Sequence, residues 1–337
     1  MRRREFIAGI GGGAIAAVST VLQPLAARAQ QAGPLRRIGV LNGGTAEDTA
    51  NQSSLAAFRE GLKDLGWIDG VNMRLDIRYG GTEYSLLRLQ AEELVRSVPN
   101  VIVVAGRPAQ RAVLQQTRTI PIVMASGVDP AVIGVVENIA RPSGNITGFA
   151  ALVPSIGSKW VGLLKEIAPW LVRIALLYPE PASDPDFARP AYFPSIEAAA
   201  AQLGVQTIRT PVRNASEIER AIATFAAEPN GGLIMLPPPS ADRQAIIRLA
   251  AQHRLPTIYF RRSEVIDGGL ISYGSNIPDL HRKAASYVDR ILRGAKPTDL
   301  PIQFPTRYEL VINLNTSRAL GLEIPRNLLA LADEVIE

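Results

Sequence analysis

The chain has 337 residues, of which 47% are hydrophobic, 20% charged and 6% aromatic. That is enough for one large or two ordinary domains, and too apolar for intrinsic disorder. There is no cysteine, which excludes disulfides, thiolate-bound zinc, iron–sulfur clusters, thiol nucleophiles and lipidation on cysteine.

The N-terminus explains the charge. Arg2, Arg3 and Arg4 precede an apolar, Gly/Ala-rich run from Ile7 to Leu22, which Ala27-Arg28-Ala29 closes in a small-x-small pattern. The run is shorter than the ~20 residues a membrane span needs and reads as a secretory leader, residues 1–29, cleaved near Ala29. Arg3-Arg4-Glu5-Phe6-Ile7 fits the twin-arginine form. The leader holds four arginines and one glutamate, so without it the net charge falls from +5 to about +2. That near-neutral balance excludes a phosphate-backbone footprint, so no nucleic acid is expected as a partner. The expected product is a soluble periplasmic protein, a monomer.

From Ile38 onward, short apolar runs alternate with helical stripes. Ile38 to Leu41 reads as a strand, Leu55, Phe58, Leu62 and Leu65 as a helix face, Met73 to Tyr79 as a strand, and Leu87 to Val95 as a helix. Val101 to Ala105 is a strand, Ala109 to Thr117 a helix, Ile120 to Ala125 a strand, and Asn145 to Gly148 a short strand. A helix on Trp160, Leu163, Leu164 and Ile167 opens the second half, which repeats the alternation from the strand Ile174 to Tyr178 to the strand Pro256 to Phe260.

The two halves agree in detail. Leu65-Gly66 matches Leu203-Gly204, Pro99-Asn100 matches Pro229-Asn230, and Ile120-Pro121-Ile122 matches Leu255-Pro256-Thr257, in the same order. The reading is an α/β protein of two similar Rossmann-like lobes, parallel sheets flanked by helices, joined by a hinge that the chain crosses several times. Lobe one takes residues 35–150 and about 276–300, and lobe two takes 151–275. Gly268 to Gly274 is a strand leading to the return crossing. The last segment, 301–337, has no clear pattern and is a candidate for one more crossing.

In open parallel sheets, ligands collect beyond the carboxyl ends of the strands. The loops there nominate Asn42, Gly43, Gly44, Gly106, Arg107, Ser126, Asp129, Tyr178, Glu180, Pro238, Ser240, Arg261 and Tyr273 as ligand-binding residues. Asp129-Pro130 and Arg107-Pro108 look like helix starts, whose free N–H groups suit a carboxylate. Arg107 and Arg261 are cations that can pair with one, or surface arginines. Asp129 is either a helix cap or a partner for a ligand ammonium. Tyr178 and Tyr273 can stack on a ligand or belong to the core. His253 and His281 have no nucleophile context and read as structural or surface groups. No metal site, catalytic set or cofactor motif is present: Asn42-Gly43-Gly44 lacks the spacing of either phosphate-binding glycine loop.

Several segments carry a family resemblance. The twin-arginine start, Arg36 to Asn42, Phe58 to Leu62, and Leu65-Gly66-Trp67 with Gly70 and Asn72 are its first part. Arg141 to Gly148, Gly268 to Gly274 and Leu320 to Pro325 complete it. Together they resemble the ABC-transporter substrate-binding family that includes tryptophan-binding-type lipoproteins. The resemblance implies the type I periplasmic-binding fold, with two lobes, three crossings and a ligand in the cleft. It implies a small-molecule ligand, an amino acid or aromatic acid bearing a carboxylate, and a membrane permease as partner. Two cleft loops, Gly106-Arg107-Pro108-Ala109 and Tyr178-Pro179-Glu180-Pro181, depart from the family's usual Gly-Gly-Thr-Pro-like and Asn-Pro-Asn turns. An exported α/β enzyme and the ligand-binding subunit of a sensory receptor remain alternatives.

Overall fold

A computed structural model describes residues 35–81, 84–127, 136–151, 153–179, 192–236 and 243–337. Residues 1–29, read from the sequence as a leader, and four of the nominated positions, Asp129, Glu180, Pro238 and Ser240, lie outside the described residues.

The first lobe begins with β1 (Arg36–Asn42), α1 (Thr49–Asp64), β2 (Met73–Tyr79), α2 (Tyr84–Arg96), β3 (Val101–Ala105), α3 (Arg107–Gln116), β4 (Ile122–Gly127) and β5 (Ile146–Ala150). Its sheet has the order β2-β1-β3-β4-β5, parallel throughout. The chain then runs through α4 (Ile156–Ile167) into β6 (Arg173–Pro179), α5 (Phe193–Gln202), β7 (Gln206–Val212), α6 (Ala215–Ala226) and β8 (Gly231–Met235). α7 (Arg243–Gln252), β9 (Thr257–Tyr259), α8 (Arg262–Ile266) and β10 (Ile271–Gly274) follow. The order β7-β6-β8-β9-β10 is that of the first sheet again. The sequence duplication is therefore a duplication of topology. The matched Gly66 and Gly204 both take positive φ, +88° and +67°, just past their helices, where a side chain would be strained.

The apolar runs form strands because both sheet faces are covered. β3 is buried along Val101–Val104 and β8 along its whole length. One buried cluster holds Val103 and Phe58 of the first half together with Trp160, Ile174 and Ile234 of the second, so the apolar core continues from lobe to lobe.

After β10, α9 (Ile277–Leu292) returns to the first lobe and lies along α1, with further contacts to β3, β4 and β5. Gln303 then bonds the edge of β5, through its N–H to the Gly148 carbonyl (2.9 Å) and its carbonyl to the Ala150 N–H (2.9 Å). The last part crosses once more and joins the second sheet as β11 (Glu309–Asn313), α10 (Leu314–Leu320), α11 (Arg326–Leu331) and β12 (Glu334–Ile336). β11 pairs antiparallel with β10, while the other described strand pairs of both sheets are parallel. The reason is the route: β11 enters from the hinge side, where β10 ends.

The three crossings bind one another. The Ser275 hydroxyl donates to the Ala151 carbonyl, joining the first and second. Asn276 Nδ2 donates to Glu309 Oε1 (2.7 Å), joining the second and third. Tyr273 and Tyr308 stack beside them at 5.6 Å between ring centres.

Candidate ligand-binding cleft

A cavity of about 860 Å³ opens between the sheets, within the size range of small-molecule sites. Its first wall comes from the carboxyl ends of β1, β3 and β4 and the start of α1: Gly43, Gly44, Asp48, Ala105, Gly106 and Ser126. The second lobe supplies Arg243, Arg261, Arg262 and Asp267, and the floor is the hinge, with Ser275, Asn276, His281 and Glu309.

On the first wall, glycine keeps the backbone near the space. The Gly43 N–H donates to the Ala105 carbonyl (3.0 Å), and a Cβ on Gly43 would stand 3.3 Å from that same oxygen. Asp48 caps α1 by accepting from the Ala50 N–H (2.9 Å). α3 starts differently: its cap residue Gly106 has φ +87° and offers no side-chain oxygen to the first turn. Asn42 sits behind the wall, buried, with its Nδ2 unpartnered.

On the second wall the arginines divide by partner. Arg243 Nη1 reaches across the cleft to Asp48 (3.2 Å), while its Nε holds Asp267 (3.1 Å) in its own lobe. Arg262 is paired with Glu334. Arg261 has no carboxylate at ion-pair distance among the described residues, and its Nε is buried without a hydrogen-bond partner. Its guanidinium lies over the Phe260 ring, 4.9 Å from the centre. Burial holds its pKa below the usual arginine value, opposed by the charges of Glu264 and Asp48. Arginine nevertheless stays protonated in proteins, so this is a cation with an unsatisfied Nε and no ion-pair partner among the described residues.

Glu264, one turn along, is fully buried. Its Oε2 accepts from the Arg261 N–H (2.8 Å), and its Oε1 is unpartnered. Burial pushes its pKa up to about 7, against the pull of Arg261. His281 is also buried, and its Nδ1 stands 2.9 Å from the Ile277 carbonyl oxygen. Burial, with a further push from the Arg261 charge, lowers its pKa to about 4.

The cavity thus brings together Gly43, Gly44, Gly106, Ser126 and Arg261 among the nominated residues. Arg107 is half-buried at the start of α3, where its charge acts on Tyr192 of the other lobe. Tyr178 is buried edge-on to Phe193 (5.3 Å), and Tyr273 is held by its stack on Tyr308; neither ring lines the cavity. Asp48, Arg243, Asp267 and His281 were not nominated. Asp48 stands before Thr49 as an N-cap residue does, a signal open to sequence reading. The other three join the site only through the placement of the second lobe and the hinge. Among the described residues no three His, Asp or Glu side chains group as a metal site, and no helix is long and apolar enough to cross a membrane.

These features define a two-lobed α/β protein with a cavity between its lobes of the size that small molecules occupy. A family model described as ABC transporter substrate binding protein matches residues 45–336, and the chain belongs to that family. The family's function is binding rather than catalysis. The chain is 24% identical to the tyrosine-binding protein of Clostridioides difficile (strain R20291) over 79% of its own length and 76% of the relative's. A crystal structure of a conserved domain protein from Vibrio cholerae superposes with a TM-score of 0.79 at 25% identity, covering 89% of this chain and 99% of that one. An ABC domain from Streptococcus pneumoniae, solved with L-Trp, gives a TM-score of 0.80 at 22% identity, covering 90% and 100%. At that identity, the likeness establishes the fold alone.

Proposed function

We propose that this chain is the soluble, periplasmic receptor of an ABC importer, and that it closes its lobes on a small carboxylate-bearing solute. The ligand class is an α-amino acid with an aromatic side chain, or a related aromatic acid. The receptor acts as a monomer and delivers the solute to a membrane permease. The observation that carries the reading is the uncommitted Arg261 on a cavity whose other lining arginines, Arg243 and Arg262, already have carboxylate partners. An anion arriving there forms a charge-assisted hydrogen bond with a donor that otherwise stays unsatisfied. The relative that binds tyrosine and the neighbour solved with tryptophan support an aromatic side chain on that anion. Export follows from the leader read in the sequence.

Isothermal titration of the protein with L-tyrosine and L-tryptophan tests the ligand class. One-to-one binding, with the ligand recovered unchanged, is expected for at least one of them. Arg261→Ala is expected to weaken that binding about tenfold or more, since a hydrogen bond to a charged group contributes roughly 1.5–3 kcal/mol. Full affinity in Arg261→Ala removes Arg261 from the site, and chemical conversion of the ligand contradicts a receptor. Changing Arg3 and Arg4 together to lysine is expected to leave the uncleaved protein inside the cytoplasm, as read by cell fractionation.

A further inference from the structure

His281 looks at first like a core residue: it is 5% exposed, on the inner side of α9. Its hydrogen bonding says more. The partner of Nδ1 is a backbone carbonyl, which can only accept, so Nδ1 carries the ring proton. A neutral imidazole in that tautomer presents a lone pair at Nε2. Burial and the neighbouring Arg261 charge keep the ring neutral. No group of the described residues donates to Nε2, and His281 lines the cavity.

Three of the carboxylates that line the cavity are engaged. Asp48 and Asp267 hold Arg243, and Glu309 accepts from Asn276. Arg261, whose charge reaches the imidazole, brings the complementary deficiency: a buried donor with no acceptor. The two groups also belong to different lobes. Arg261 follows β9 of the second sheet, whereas α9 packs on the first.

We infer that His281 is a specificity-determining residue of the cleft, and that its Nε2 accepts an N–H or O–H from the ligand carbon next to the carboxylate held by Arg261. The inference rests on the reading of the cleft as a carboxylate site and adds the second half of the head group. A ligand with both groups ties the second lobe to the first beside the hinge. A plain carboxylic acid engages Arg261 alone and leaves the acceptor unpaired. Sites built to bond a polar hydrogen discriminate against analogues that lack it.

The test uses three probes of one shape: L-tyrosine, 4-hydroxyphenyllactate and 3-(4-hydroxyphenyl)propionate. They carry an ammonium, a hydroxyl or only hydrogens beside the carboxylate. Calorimetry on the wild-type protein is expected to show the first, the second or both binding about tenfold or more tightly than the third. In His281→Phe, which keeps the ring volume, that gap is expected to shrink to about threefold or less, with affinity for the third probe little changed. His281→Gln, which restores an acceptor, is expected to recover part of the gap. Equal weakening of all three probes in His281→Phe, or a gap that survives it, overturns the inference and leaves the carboxylate reading standing. Failure of the wild-type protein to bind any of the three, or L-tryptophan, overturns both.

A second measurement needs no variant of His281. With only two histidines in the chain, the ring nitrogens are assigned by nitrogen-15 resonance against a His253→Gln sample. The free protein at neutral pH is expected to show His281 protonated on Nδ1, and saturation with a bound probe is expected to shift the Nε2 resonance. Protonation on Nε2 in the free protein, or an Nε2 resonance unmoved at saturation, overturns the assignment.

Discussion

Glu264, His281 and the Nε of Arg261 are buried, and each of the three residues leaves a hydrogen-bonding atom without a partner among the described residues. Two of them make stability depend on pH in opposite senses. His281 ordinarily titrates at 6.5 and falls to about 4 in the fold, so the unfolded chain binds its proton more readily. Its contribution is therefore fully present above pH 6.5 and is lost as pH falls toward 4, by roughly 3 kcal/mol at the limit. Glu264 rises from 4.5 to about 7, so the folded state holds its proton more tightly. That contribution is present below pH 4.5 and disappears as pH rises to 7. Urea unfolding across pH 4 to 8 separates them. The stability difference between wild type and His281→Phe is expected to grow from pH 4 to 6.5 and then level. The difference between wild type and Glu264→Gln is expected to shrink from pH 4.5 to 7. A flat difference profile for either variant contradicts the burial assigned to that group.

At the scale of elements, the contact that fixes the first lobe is α1 against α9. It joins segments more than 200 residues apart in the chain, and ion pairs of Arg282 with Glu60 and Asp64 flank it. Gly61 allows the close approach: a Cβ there would lie 2.8 Å from the Arg282 carbonyl oxygen and 3.0 Å from the Ala285 Cβ. Gly61→Ala is thus expected to destabilise the protein by about 1–3 kcal/mol through overpacking, despite the better helix propensity of alanine, as measured by urea unfolding. An unchanged or raised stability contradicts that contact. The elements legible in the sequence were those with a self-contained signal. Val101–Ala105 is a continuous apolar run, and Met73–Tyr79 alternates. β11 was illegible because Glu309–Asn313 is short and gains its meaning only by pairing with β10 from a distant crossing. The cleft divides in the same way. Gly43, Gly106 and Arg261 follow from the rule that ligands gather beyond strand ends, a property of each half alone. Arg243 and His281 join the site only when the two halves face each other, which no local pattern encodes.

The whole molecule repeats one strand order in two sheets and connects them by three mutually bonded crossings, so the cleft is the natural place for relative motion. The Arg243–Asp48 pair spans that cleft, with each side chain about one-fifth exposed. It counts only while the lobes are together, so it biases the equilibrium toward closure. Asp48→Asn keeps a capping side chain on α1 but removes the charge. It is expected to weaken ligand binding about threefold to tenfold, mainly through faster release in stopped-flow fluorescence. Unchanged release would show that the pair does not bear on closure.

A solute bound between the lobes is expected to draw them together and to leave unaltered. Small-angle X-ray scattering during titration with L-tyrosine or L-tryptophan, whichever binds, tests it most directly. The radius of gyration is expected to fall to a plateau at one ligand per chain and to recover when the ligand is dialysed away intact. A scattering profile that stays the same at saturation, or a ligand consumed during the titration, would contradict it.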